Sequence, residues 1–227
     1  MNIRQLFDAD SSTYTYLLWD LGSREAALID SVREQVDRDA RVVEELGLDL
    51  RYLLETHIHA DHVTGSGNLR ERFGAKVAVH RNSGSECADV LLGDGDVIRV
   101  GGECVGVLHT PGHTDTDVSF SIPGAVFTGD ALLIRGSGRT DFQSGDPGVA
   151  WDSITGKLFT LPEDTVVYPG HDYSGQTSST IGEERASNPR LGGGKTREAY
   201  IAIMNAMDLP RPRLIDEAVP GNLSCGL

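Results

Sequence analysis

The sequence predicts an α+β fold in which two β-sheets pack face to face, helices lie outside, and a site runs along one edge. Three observations predict it. Short strands recur in pairs around tight-turn residues, helical stretches alternate with these pairs, and four consecutive strand ends deliver His or Asp. No G-x-G-x-x-G run opens a helix after a strand, so a dinucleotide-binding unit is not expected.

Residues 14–20 and 25–30 read as strands around Leu21-Gly22-Ser23, a hairpin connection. In 32–46 the apolar residues Val32, Val36, Val43 and Leu46 are spaced by charges, the pattern of a surface helix, and Gly47 stops it. Tyr52-Leu53-Leu54 is a short buried strand that runs straight into a histidine cluster. Residues 68–73 read as a helix ended by Gly74, and 76–79 as a strand. Two further hairpins turn at Gly101-Gly102, between strands 97–100 and 103–108, and at Pro123-Gly124, between 118–122 and 125–128. Residues 149–158 read as a helix and 165–168 as a strand leading to His171. Two helices, 179–186 and 196–207, and a Pro-rich tail complete the chain. This divides it into a catalytic core, 1–175, and a short helical extension, 176–227.

Composition removes several classes of function. A formal net charge of -14 argues against nucleic-acid binding, which needs a positive footprint. The chain is nearer to neutral from residue 131 onward, where an anionic substrate would find its cationic partners. No stretch approaches the length of a membrane span. The 3 cysteines, Cys87, Cys104 and Cys225, are odd in number and far apart, so neither a disulfide framework nor a Cys-type zinc site is expected. The N-terminus lacks the apolar or Arg-rich pattern of a targeting segment. These features lead to the expectation of a reducing, cytoplasmic location.

The chemistry sits in four groups. His57, His59, Asp61 and His62 fall within one six-residue run. His109-Thr110-Pro111-Gly112-His113 follows a strand, and its Pro-Gly turn can aim His113 back toward the run. Asp130 follows the buried strand that ends in Phe127-Thr128-Gly129. His171 lies in Pro169-Gly170-His171-Asp172-Tyr173. Imidazoles and carboxylates gathered at strand ends are metal ligands by type. Solvated or core histidines would not cluster in this way. His80 and Cys87 have no motif around them and read as packing or surface residues.

The run His57-Ile58-His59-Ala60-Asp61-His62, with His113, Asp130 and His171, resembles the metallo-β-lactamase superfamily, whose signature is H-x-H-x-D-H. The resemblance implies an αββα sandwich with its metal site at one edge. Two zinc ions are the common pattern there: one on His57, His59 and His113, the other on Asp61, His62 and His171, with Asp130 between them. Glyoxalase II, a hydrolase of glutathione thioesters, follows that pattern and supplies the alternative function. A narrower resemblance, to the persulfide dioxygenases, is carried by residues 55–65, 128–143, 169–173, Glu184-Arg185, 188–191 and 218–222. It implies oxidation of glutathione persulfide by dioxygen to sulfite and glutathione, within hydrogen sulfide metabolism. It also implies one ferrous ion, held by His57, His113 and Asp130, a set of two imidazoles and one carboxylate that leaves coordination positions open.

On that reading His59, Asp61, His62 and His171 orient ligands or a bound water, and Tyr173 points its hydroxyl toward the metal. Arg139, with Asp141 beside it, grips a glutathione carboxylate, and Arg190 adds positive charge. The human family member has Cys where this chain has Ser137, which implies that the thiol is not needed for the core reaction. Glyoxalase II follows its core with a larger helical domain, whereas only about fifty residues follow Tyr173 here. Like many of the family, the chain is expected to form a homodimer.

Overall fold

A computed structural model describes residues 1–227. The chain divides into two compact units, one of Met1–Val105 with Arg211–Leu227 and one of Gly106–Pro210. The stretch 176–227 is shared between them.

The first unit is built on a six-stranded sheet in sequential order. β1 (Asn2–Asp8), β2 (Thr13–Trp19) and β3 (Glu25–Ile29) form an antiparallel meander. The direction then changes. β4 (Asp49–Leu54), β5 (Lys76–His80) and β6 (Val90–Leu92) run parallel to β3, which requires crossover connections. The first crossover carries a short 3-10 turn, Arg33–Gln35, and then α1 (Val36–Glu45); the second carries α2 (Ser66–Phe73). Leu17, Leu28, Leu53, Val77 and Val79 of the sheet pack against Ala40 and Val43 of α1 and Leu69 of α2. Gly74 ends α2 in the left-handed conformation at φ 69°, where a side chain would be strained. Parallel strands all point their carboxyl ends the same way, so β3, β4 and β5 deliver Asp30, Glu55-Thr56-His57 and His80 to one edge.

β7 (Val97–Val100) and β8 (Glu103–His109) lead into a second sheet, ordered β12-β11-β10-β9-β8-β7. The second unit begins within β8, whose residues from Gly106 onward pair antiparallel with β9 (Val118–Ile122), and β9 pairs antiparallel with β10 (Ala125–Gly129). After α3 (Pro147–Gly156), β11 (Val166–Pro169) lies parallel to β10. The carboxyl ends of this pair carry Asp130 and His171. β12 (Ser179–Thr180) joins α4 (Ile181–Ser187), and α5 (Arg197–Asn205) follows. The core holds Val126, Val167, Ile154, Leu158, Ile181 and Tyr200.

α6 (Ile215–Leu223) then returns the chain to the first unit. It occupies the stretch that reads as a Pro-rich tail. Pro220 removes one backbone donor, which hides the helix from a propensity reading, yet buried Ala218 and Asn222 fix it in place. β1 and β6 were also not expected. β1 alternates little between polar and apolar residues, and β6 has only three residues. A further correction concerns the cysteines. Cys87 and Cys225 form a disulfide with Cα atoms 6.0 Å apart, although 138 positions separate them in sequence. Only the return of the tail creates that proximity. Cys104 is free and exposed.

Candidate metal centre

In the first unit the loop from Glu55 to Gly65 leaves the end of β4 and enters α2. Its histidines are buried, and the rings of His57 and His62 lie 4.1 and 4.3 Å from that of His59. His59, Asp61 and His62 each offer a ligand atom, all within 4.8 Å of one another. The structure therefore brings together the four residues that the sequence places in this run.

Hydrogen bonding fixes which nitrogen each ring presents. The Thr56 hydroxyl donates to Asp30 Oδ2 (2.8 Å), so its lone pair accepts from His57 Nδ1–H (3.0 Å), and His57 Nε2 keeps its lone pair. Asp61 Oδ2 accepts from His62 Nδ1 (2.8 Å), and His62 Nε2 is buried with no hydrogen-bond partner. His59 Nε2 lies 3.1 Å from Asp30 Oδ1 and 3.5 Å from Glu55 Oε2, yet neither ring nitrogen makes an aligned hydrogen bond. Burial opposes charge on His59, but Asp30, Glu55 and Asp61 outweigh it and hold its pKa well above the ordinary imidazole value. Buried imidazole nitrogens without partners beside carboxylates fit a cation, which would replace the proton on His59.

Asp30 is the residue that sequence reasoning missed. It follows β3 in the left-handed region, φ 52°, and accepts from the Thr56 N–H as well as its hydroxyl. The signal was present: Asp30 is a carboxylate after a buried strand, as Asp130 is. Two other supports were also overlooked. Glu55 Oε1 accepts from the hydroxyls of Thr64 (2.6 Å) and Ser66. Asn222, far along the chain, donates to the carbonyls of His59 (2.9 Å) and His62 (3.0 Å) and accepts from the Thr64 N–H (2.8 Å).

In the second unit His113, Asp130 and His171 come from three separate connections. The Arg139 carbonyl accepts from His113 Nδ1 (2.7 Å), which leaves the lone pair on Nε2, 3.7 Å from Asp130 Oδ2. Asp130 Oδ1 accepts from His171 Nδ1 (2.6 Å). Two glycines make this approach possible. A Cβ on Gly112, at φ 144°, would lie 2.3 Å from the Ala150 backbone, and one on Gly138 would lie 2.4 Å from the Asp130 carbonyl. Asp117 braces the His113 turn by accepting from the Thr114 N–H and hydroxyl. Burial pushes its pKa up to about 6, against the pull of His113 and the Thr114 bonds.

Tyr173 is largely exposed, and its ring is nearly parallel to that of His171 at 6.1 Å. Arg139 grips Asp141 bidentately (2.6 and 2.8 Å), donates to the Pro210 and Leu209 carbonyls, and lies over the Phe142 ring. The hydrogen bonds to Asp141 raise the Arg139 pKa, and those from Arg139 lower that of Asp141. Arg190 donates to the Ser137 carbonyl, and burial lowers its pKa. The Ser137 hydroxyl pairs with that of Tyr200 (3.0 Å), so a serine here has a partner of its own.

The chain matches the Metallo-beta-lactamase superfamily over residues 9–171. It is 49% identical over 228 residues to "Persulfide dioxygenase ETHE1, mitochondrial" of Mus musculus and, equally, of Homo sapiens. Each alignment covers 99% of this chain and 89% of the relative. The crystal structure of ETHE1 from Myxococcus xanthus superposes with a TM-score of 0.98 at 56% identity, covering 100% of both chains. These matches bear out the α+β metallo-β-lactamase fold. The cytoplasmic location expected from the sequence is overturned, because both mammalian relatives are described as mitochondrial. No helix is long and apolar enough to cross a membrane.

Proposed function

We propose that this chain, which belongs to the persulfide dioxygenase family of the metallo-β-lactamase superfamily, oxidises glutathione persulfide with dioxygen to sulfite and glutathione. The observation that carries the reading is identity of 49% across 99% of the chain, far beyond the metal-ligand motif that hydrolases share. Residues 1–175 are taken as the catalytic core. Residues 176–227 support it, since Tyr200 fills the interior of the second unit and Asn222 holds the ligand loop of the first.

His57, His113 and Asp130 would hold one ferrous ion. The donor set fits: the Nδ1 atoms of both histidines are committed to protein acceptors, so both present Nε2. Iron, when bound, would supply the one-electron chemistry by which dioxygen reacts with a closed-shell sulfur. The chain's own residues do the rest. Thr56 and Asp30 hold the His57 ring, and the Arg139 carbonyl holds that of His113. His171 directs its Nδ1–H at Asp130 Oδ1, which leaves the other carboxylate oxygen for the ion. Tyr173, largely exposed with its ring parallel to that of His171, would orient the substrate. Arg139 and Asp141 form a rigid charged pair for the glutathione termini, and Arg190 supports the same segment through Ser137. A homodimer is part of this reading; sedimentation as monomer only, at micromolar concentration, would remove it.

A second reading rests on the grouping of His59, Asp61 and His62, a set able to hold a further ion. With two zincs the chain would hydrolyse a glutathione thioester. Elemental analysis of protein purified without oxygen, paired with oxygen uptake on glutathione persulfide, separates the two. One iron per chain with oxygen uptake is expected. Two zincs per chain, with thioesterase activity that survives iron removal, would overturn the dioxygenase reading.

A further inference from the structure

We infer that the Cys87–Cys225 disulfide is a thiol-exchange site, through which a small thiolate such as that of glutathione loosens the metal-ligand loop. The inference concerns the first unit alone and does not depend on which metal or reaction the chain supports.

The two sulfurs differ in access. Cys225 is 2% exposed, whereas Cys87 is half-buried in the connection between β5 and β6. An incoming thiolate therefore reaches the Cys87 sulfur. The new bond forms there, the Cys87–Cys225 bond breaks, and the Cys225 sulfur leaves as a thiolate that takes a proton from water. No net oxidation occurs in this step. A second thiolate then attacks the mixed disulfide, releasing the oxidised small disulfide and leaving both protein cysteines as thiols.

The consequence reaches the ligand loop because both half-cystines are fastened to the helix that follows it. In α2 the Gly67 N–H donates to the Cys225 carbonyl (2.8 Å), and Arg70 donates to the Cys87 carbonyl (2.7 Å). The tail is pressed against the loop itself. A Cβ on Gly226 would lie 2.0 Å from the Thr64 carbonyl, and one on Gly67 would lie 2.6 Å from that of Cys225. Three residues before the cystine, Asn222 makes its bonds to His59, His62 and Thr64. The disulfide is the only covalent link that keeps this tail in register with the β5–β6 connection. The other ties between these two segments are hydrogen bonds to the Leu223 carbonyl, from the Glu86 N–H (3.0 Å) and the Ser85 hydroxyl (3.3 Å). Opening it leaves the chain end held by packing and hydrogen bonds alone and slackens Asn222's hold on the carbonyls that set the pose of His59 and His62.

The test uses the full chain, metal-loaded, with Cys104→Ser to remove the exposed thiol. The protein is equilibrated with reduced and oxidised glutathione at graded ratios, and intact mass, peptide mass, amide exchange and metal release to a chelator are followed. The expected adduct sits on the Cys87 peptide. Opening should speed amide exchange across residues 59–67, and metal release should rise about 10-fold, the lower end for losing a group that orients ligands. Cys87→Ser should reproduce the faster exchange and release without any thiol, and Asn222→Ala should do so with the disulfide intact. Should Cys87→Ser not fold, the reduced Cys104→Ser protein gives the same comparison. Two free thiols in air-purified protein, an adduct confined to Cys225, or an opened disulfide with unchanged exchange and metal release would each overturn the inference.

Discussion

In the first unit four candidate ligands crowd into the run from His57 to His62, and the buried rings of His59 and His62 keep nitrogens that no protein group satisfies. In the second unit His113, Asp130 and His171 arrive from three separate connections. There each imidazole Nδ1 already meets an acceptor, the Arg139 carbonyl or Asp130. The difference teaches how the burden of assembly is divided. The second unit preassembles its ligands around its own hydrogen bonds. The first concentrates charge and unsatisfied polar atoms in one loop, an arrangement costly without a cation and stabilised by one.

The largest expected effect tests the preassembled side. His113→Ala should abolish iron loading and activity while the fold stays mostly intact, because His113 sits on a connection and not in a strand. Full iron occupancy in that variant would remove His113 from the ligand set. Chelation of the wild type sharpens the contrast: amide exchange across 57–64 should accelerate more than across 109–114. Equal acceleration in both segments would break the comparison.

Asp30→Asn comes next. It keeps the size but weakens the acceptor that orients Thr56, and through it His57. Metal affinity should fall about 10- to 100-fold, read by competition with a chromophoric chelator. An unchanged affinity would mean that the first unit's loop holds its pose without Asp30.

Arg139→Ala asks whether the second unit's charged pair serves substrate as well as structure. If it grips a glutathione carboxylate, kcat/KM for glutathione persulfide should drop about 10- to 150-fold with iron retained, the cost of one charge-assisted hydrogen bond. A small alkyl persulfide should lose much less, and Lys at 139 should restore only part. Equal losses on both substrates would remove Arg139 from recognition. A fall in iron content would assign it to holding His113 through the main chain.

The remaining effect concerns stability. Each unit buries a carboxylate with its pKa pushed up to about 6: Asp39, where burial outweighs Arg38, and Asp117. For Asp39 the folded value lies above the unfolded 3.8, so the folded state holds its proton more tightly. Its penalty is absent below about pH 4, grows as pH rises to about 6, and is constant above. Relative to Asp39→Asn, the wild type should lose at most about 3 kcal/mol across that window. Parallel pH profiles for the two proteins would show that Asp39 titrates normally.

The sequence by itself determined most of the framework. Hairpin residues and strand ends placed β2 to β5, β7 to β11, and the candidate site residues His57, His59, Asp61, His62, His113, Asp130 and His171. Their signals are local: a polar cluster after an apolar run needs only a few neighbours to be read. The family resemblance carried the choice of iron and persulfide, which spacing alone left open between oxygenase and hydrolase. Tertiary structure decided what depends on distant segments meeting. Asn222 reaches His59 across more than 160 positions, and Cys87 finds Cys225 across 138. Arg139 reads in sequence as a substrate contact with Asp141 beside it, yet it also donates to carbonyls some 70 positions away. Hydrogen bonds and disulfides between such segments depend on where the folded backbone places their donors, acceptors and sulfurs, and no periodicity or local spacing encodes that position.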